Sequence, residues 1–211
     1  MTPPPTTAAI PPSLIPYNVP PAAYLATHPH LTNLVVSALI IHAPTGRALL
    51  IQRAAHDGFP LKWECPGGQV DAGADATVLH ALCREVREET GLALPLPLPL
   101  PDVPPDGLLD GPPQDGVAGA AEVADVLDTI EFPGGGGSNW RKITFLVLLA
   151  EDDGDEKLPP PVRLDEREHQ DAVWATGEEV QAGRCEGREI VFAYEGQREL
   201  VLDVLRRRER E

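Results

Sequence analysis

The sequence predicts an α/β domain in which helices cover a mixed sheet. Three observations carry that prediction. Two apolar, β-branched runs flank a Pro-Thr-Gly turn, which is a hairpin pattern. A glycine-rich loop then leads into a run of helical periodicity that stops at a glycine. Further strand-like and helix-like runs follow, so strands and helices interleave along the chain.

The elements follow in order. Residues 1–30 hold nine prolines and little periodicity, and they read as an extended arm partly pinned by Tyr17, Tyr24 and Leu25. The domain proper spans 31–206. Residues 34–41 form a buried strand by length and β-branching. Pro44, Thr45 and Gly46 turn the chain, and residues 47–53 return as the hairpin's second strand. The helix that follows has Asp75 as its predicted N-cap and Gly91 as its stop. Residues 93–121 hold Pro-Leu repeats and Gly-Pro-Asp clusters, an irregular insertion. Residues 123–132 and 140–150 read as two strands joined by the flexible glycines 134–137. Residues 159–165 are linker, 172–174 a short strand, and 178–182 a short helix. Residues 190–207 read as a last amphipathic helix with Leu200, Val201, Val204 and Leu205 facing inward. A charged tail, 207–211, closes the chain.

Composition narrows the functional classes. The 211 residues suffice for one domain with its own core. A net charge of −16 argues against a nucleic-acid polymer or an anionic membrane as the main partner. It does not argue against a phosphate substrate, because bound cations invert the local field. Three cysteines without metal-like spacing read as reduced thiols. No apolar stretch is long enough to span a membrane. The first basic residue is Arg47, so a basic secretory or mitochondrial leader is not expected. The expected compartment is the cytoplasm, with the nucleus as the alternative.

The segment that carries chemistry is Cys65 to Leu92, CPGGQVDAGADATVLHALCREVREETGL. At roughly 100° per residue, Val78, Leu79, Leu82, Cys83 and Val86 make one apolar stripe that faces a core. Glu85, Glu88 and Glu89 fall along one flank of it, at the boundary between core and solvent. Three carboxylates there suit a hard divalent cation, Mg²⁺ or Mn²⁺ given all-oxygen donors. The competing reading is a solvated acidic face balanced by Arg84 and Arg87.

Arg84-Glu85-Val86-Arg87-Glu88-Glu89-Thr90-Gly91-Leu92 resembles the second half of the Nudix box, G-x5-E-x7-R-E-U-x-E-E-x-G-U, the signature of the Nudix hydrolases. Chance agreement at its five fixed positions is on the order of 10⁻⁶ at a given site. Trp63-Glu64-Cys65-Pro66-Gly67-Gly68 resembles the segment that precedes the box. The first half departs from the pattern. Counting forward from Gly68 puts the first glutamate at Ala74, and counting back from Arg84 puts it at Ala76, so the loop carries two extra residues. In the family this glutamate mainly pairs with the box arginine, and Asp75 is the expected substitute partner of Arg84.

The resemblance implies the Nudix fold, an α/β/α sandwich with a mixed central sheet. It implies Glu88 and Glu89, then Glu85, as catalytic metal ligands, joined by the backbone carbonyl near Gly68, with Arg84 orienting the helix carboxylates. It implies water attack on phosphorus in a small-molecule diphosphate, a nucleoside diphosphate joined to another group. Homodimers are common in the family, so a second copy of the chain is the expected protein partner. The base is either a box glutamate or an acid from a later loop, where Glu131, Glu166, Glu168 and Asp171 are candidates, each more readily read as simply solvated. Arg53 is a candidate phosphate contact or a surface ion pair, and Arg141 and Lys142 are further candidates to meet anions. Phe59, Trp63 and Trp140 either stack on a base or pack in the core, and His56 is the histidine nearest to a substrate role. Two rival functions stay open. One is an inactive Nudix-fold binding module, motivated by Ala74 and Ala76. The other is hydrolysis of a non-nucleotide diphosphate, isoprenoid or inositol, whose tail the apolar residues 92–100 would cover.

Overall fold

The computed structural model describes residues 10–94, 121–150 and 158–210. A 3-10 turn, Pro12–Tyr17, and a short helix α1, Pro21–Ala26, precede strands β1 (Asn33–His42), β2 (Arg47–Arg53) and β3 (Trp63–Glu64). Helix α2 (Val78–Thr90) leads to β4 (Ala121–Pro133) and β5 (Asn139–Leu149). Strand β6 (His169–Ala175), helix α3 (Gly177–Ala182), the small hairpin β7 (Arg184–Cys185) and β8 (Arg188–Glu189), and helix α4 (Glu195–Arg208) complete the chain.

Six strands form one mixed sheet in the order β3-β2-β1-β5-β4, with β6 on the far edge of β2. Strands β1 and β5 run parallel from Asn33↔Trp140 to His42↔Leu149. The unbroken apolar run of β1 follows from its place, since a central strand is buried on both faces. Side chains alternate between two cores. Val36, Ala38, Ile40, Leu49, Ile51, Ile143 and Phe145 face α2, through Leu79, Leu82 and Val86. Leu39, Ile41, Leu50 and Val173 face α3 and α4, through Val180, Val201, Leu202 and Leu205. The result is a three-layer α/β/α sandwich.

Strands β1 and β2 pair only at Ile41↔Ala48 and His42↔Arg47 and then splay apart. Strand β3 and the glycine loop fill the gap. Ala38 N–H donates to Pro66 O at 2.7 Å, Val36 N–H to Gly68 O at 2.9 Å, and Val70 N–H to Leu34 O at 3.0 Å. The loop is thus stitched to the central strand, and α2 leaves from its end.

Several expectations are corrected. Residues 12–26 of the N-terminal arm are not extended but form the 3-10 turn and α1: Leu14 and Tyr24 are buried in the α2-side core, and Tyr17 stacks on Tyr24 and meets the edge of Phe145. The N-cap of α2 is Thr77, whose Oγ1 accepts from His80 N–H at 3.0 Å, because Asp75 is drawn away by Arg84. The last helix starts at Glu195, not at 190. Residues 191 and 193 instead bond to Trp63, through Trp63 N–H to Val191 O and Ala193 N–H to Trp63 O. In α4 the buried position falls to Leu202, while Leu200 only flanks the core. The charged tail expected from 207 begins inside α4. Most of the insertion 93–121 lies outside the described residues.

Candidate active site

The site is built where the glycine loop meets α2. Gly67 has φ +149, and a Cβ there would lie 2.1 Å from Val36 O, so only glycine lets the loop lie this close to β1. Its N–H donates to Glu89 Oε2 at 2.7 Å. A Cβ on Gly68 would fall 2.5 Å from Glu85 Oε2. Gly68 therefore makes the space that the Glu85 carboxylate occupies, and Gly67 brings the amide that holds Glu89. Gly91, at φ +71, ends the helix just past them.

Arg84 ties this assembly together. Its Nε and Nη2 donate to the two oxygens of Asp75, both at 2.8 Å, and Nη2 also reaches Gln69 O at 3.1 Å. Its Nη1 donates to Glu85 Oε1 at 2.9 Å and Glu88 Oε2 at 3.0 Å. Asp75 also accepts from Asp71 N–H at 2.8 Å and has a side chain without solvent exposure. Asp75 sits between the two alanines where the counts place a glutamate, and the loop's extra residues let its shorter side chain reach Arg84.

Glu85 and Glu89 are buried and Glu88 is exposed. Burial raises the Glu89 carboxyl well above its usual range; the Gly67 N–H opposes this, and Glu64, Glu85 and Glu168 add to it. Burial also raises Glu85, against the pull of Arg84. Burial would raise Glu64 too, but the neighbouring His169 imidazole and Arg53 guanidinium hold it below its ordinary value. Lys142 is lowered by burial, against the pull of Cys65, Glu64 and Glu89, and its ammonium lies 5.1 Å from the centre of the Tyr194 ring. Burial pushes the Cys65 thiol up to about 12, so it is no activated nucleophile.

Glu85, Glu88, Glu89, Arg84 and Gly68 come together as one cluster. The Gly68 carbonyl accepts from Val36 N–H, which leaves one lone pair for another partner. Arg53 lies beside Glu64 with its guanidinium engaged: it donates to Glu64 Oε1 at 2.5 Å, to Asp57 and to Gly58 O. Phe59 is 67% exposed. His56 Nε2 lies 2.9 Å from Arg167 O, toward the loop before β6. Trp63 is corrected as a stacking residue. It is 1% exposed, and its Nε1 donates to Glu189 O at 2.9 Å, so its indole belongs to the α4-side core. Trp140 stacks on Phe132. Among the proposed bases, Glu131 pairs with Arg141 and Asp171 with Arg188.

Two residues that sequence reasoning missed complete the cluster, Glu64 and His169. Glu64 lay inside the Trp-Glu-Cys-Pro-Gly-Gly segment, whose pattern flagged its glycines. His169 had no local signal, because β6 brings it to α2 from far along the chain. Donor atoms of Glu89, Glu168 and His169 lie within 4.8 Å of one another. Beside Arg84 and Glu88 a cavity of about 740 Å³ opens, walled in part by Pro21 and Leu25 of α1 and by Asn33 and Asp71.

Comparison with known proteins agrees with this architecture. The family model described as NUDIX domain matches residues 31–194. An RNA pyrophosphohydrolase of Rhizobium meliloti (strain 1021) is 43% identical over 47 residues, which span 22% of this chain and 27% of that protein. The chain is similar in structure to the E. coli dihydroneopterin triphosphate pyrophosphohydrolase, with TM-score 0.54, 18% identity, and 82% and 95% of the two chains covered. It is also similar to the NUDIX domain of Shewanella oneidensis NrtR complexed with ADP ribose, with TM-score 0.52, 17% identity, and 88% and 98% covered. At these identities the likeness to solved structures speaks for the fold.

Proposed function

This chain belongs to the NUDIX domain family, and from that premise we propose that it is a Nudix-type pyrophosphate hydrolase. It acts on a diphosphate linkage in a nucleoside diphosphate joined to another group, with Mg²⁺ or Mn²⁺ held by Glu85, Glu88 and Glu89. The observation that carries this reading is the pair of buried carboxylates, Glu85 and Glu89. Both are raised by burial, and the nearby Glu64 and Glu168 add negative charge. Buried like charges demand a cation or protons. Oxygen donors at the helix flank, open to solvent through Glu88, fit a hard divalent ion.

Bound divalent cations polarise a diphosphate and lower the pKa of water. The chain's own residues do the positioning. Gly67 N–H fixes the rotamer of Glu89. Arg84, anchored on Asp75, aligns Glu85 with Glu88 and locks the loop to the helix. Glu131 and Asp171 are each bound to an arginine, which leaves Glu166 and Glu168 of the later-loop acids to accept the water proton, and Glu168 is the one that lies beside Glu89. Lys142, beside Glu64 and Glu89, supplies positive charge on the sheet side of the cleft. The binding-module reading rested on the two alanines. The Asp75–Arg84 pair supplies the loop tie they lack and favours the enzyme.

The test is phosphate release from a panel of ADP-ribose, NADH, dinucleoside polyphosphates, nucleoside triphosphates, RNA 5′-triphosphate ends, isoprenyl diphosphates and inositol pyrophosphates. Each is run with Mg²⁺ or Mn²⁺, with and without EDTA. Turnover that disappears with EDTA and drops at least roughly 100-fold in Glu88→Gln, beyond the loss typical of outer-sphere partners, supports the reading. Turnover indifferent to both sinks it. Ligand-induced thermal stabilisation without turnover selects the binding module.

A further inference from the structure

The glutamates of α2 account for a hard cation, but they leave His169 unexplained. This imidazole is 1% exposed, and neither ring nitrogen has a hydrogen-bond partner. Its Nε2 lies 3.5 Å from Glu64 Oε1 and 3.7 Å from Glu89 Oε1. Both distances exceed the roughly 2.7–2.9 Å of a charge-assisted hydrogen bond. A buried imidazole that stands this far from two carboxylates is free to serve as a ligand, and one of the two, Glu89, also lies within reach of Glu168.

We infer that His169, Glu89 and Glu168 form a cation site with a nitrogen ligand, built for a borderline divalent ion of the Mn²⁺, Co²⁺ or Zn²⁺ class. The inference deepens the hydrolase reading by adding a second kind of donor beside the box carboxylates. One donor atom from each residue lies within 4.8 Å of the others, so a small inward turn of the exposed Glu168 closes the set. Imidazole selects these ions over Mg²⁺, which keeps to oxygen. The fold places the ring deliberately. Strand β6 pairs Gln52↔Asp171 and then Arg53↔His169, so Gln170 is an inserted residue at a β-bulge. Without the bulge Gln170 would oppose Arg53; with it, His169 stands at that position, beside Glu64 and Glu89.

The probe is Mn²⁺ added to the full-length protein, followed by pulsed EPR for imidazole nitrogen coupled to the metal. The expected result is ¹⁴N coupling in the wild type that becomes ¹⁵N coupling when histidine is ¹⁵N-labelled. His169→Gln should abolish it while Mn²⁺ still binds at the box. Bound Mn²⁺ with no nitrogen coupling, or coupling unchanged in His169→Gln, overturns the inference. Should His169→Gln fail to fold, Glu168→Gln, on an exposed side chain, is expected to weaken the nitrogen-coupled site by roughly 10-fold or more. Unchanged affinity there overturns it equally. The two readings fail separately. Nitrogen-coupled Mn²⁺ in a protein that hydrolyses nothing sinks the hydrolase alone, and Mg²⁺-dependent turnover without nitrogen coupling sinks this site alone.

Discussion

Asp75 carries its charge where its side chain has no solvent contact, held by Arg84 on both oxygens and by the Asp71 amide. Burial alone would raise its pKa, but Arg84, His80 and the Asp71 amide reverse this and hold the carboxyl well below its usual range. A depressed carboxylate contributes stability above its unfolded value, about 3.9, and loses it as pH falls through the folded value. Asp75→Asn should therefore destabilise by about 1.5–3 kcal/mol near neutrality. The difference in Tm from wild type should shrink below about pH 4. A Tm gap that stays constant down to acid pH would show that Asp75 acts by shape and not by charge. Glu89 has the opposite sign. Its raised pKa means that the metal-free protein loses stability as pH rises from about 4.3 through the folded value. Metal-free Glu89→Gln should then melt above wild type at neutral pH and gain little from Mn²⁺, whereas wild type should gain much; equal gains would remove Glu89 from the metal site. At this scale the chain was legible where partners are close in sequence. Glu85, Glu88 and Glu89 share one helix flank, Arg84 follows from the box pattern, and Asp75 lies a loop away. Glu64 and His169 were not legible, because strand pairing and a bulge set their positions and leave no local period.

The glycine loop is the element that turns a helix into a site. Gly67→Ala sets a Cβ 2.1 Å from Val36 O, against backbone that cannot yield without unpairing the loop from β1. A loss of at least about 2 kcal/mol is expected in thermal or urea unfolding. Gly68→Ala meets the Glu85 carboxylate instead, a side chain that can swing away. Its stability should change little, while metal affinity falls as Glu85 leaves its position. Metal titration calorimetry separates the two, and a Gly68→Ala protein with unchanged metal affinity would remove Glu85 from the ligand set. Strands β1, β2 and β5 could be read from their apolar runs because each is buried on two faces. The hairpin of β7 and β8 could not, since two-residue strands carry no period. The stretch before α4 misled for a physical reason. Ile190 and Phe192 are buried on the same core as α4, so apolar spacing continues across a change from strand-like pairing to helix.

At the scale of the whole molecule, the α2-side core is incomplete without residues that composition assigned to an extended arm. Proline content hid this, because the 3-10 turn and α1 are too short for a helical period, and proline near each start fits a helix as readily as an extended arm. Leu14 lies at 1% exposure among core residues, and Tyr24 donates its ring to Tyr17 and His28 while its Oη accepts from Arg141 at 2.8 Å. Arg141 in turn holds Glu131, so the arm also fixes the β4–β5 hairpin. Leu14→Ala should destabilise by about 2–5 kcal/mol, the range for a buried leucine. In a chain of this size each kcal/mol moves Tm by roughly 2–4 °C, which puts the drop on the order of 5–15 °C. Leu14 belongs to the apolar α2-side core, so kcat measured well below the lowered Tm should match wild type. Tyr24→Phe isolates the Arg141 bond and should lose only about 1 kcal/mol, because the ring stays packed. Differential scanning calorimetry of both variants decides the matter. If Leu14→Ala melts with wild type, residues 12–26 add nothing to the stability of the domain, whose structural part then begins at β1. If Tm falls as expected, residues 12–26 are a structural part of the domain and of the α1 wall beside Arg84 and Glu88.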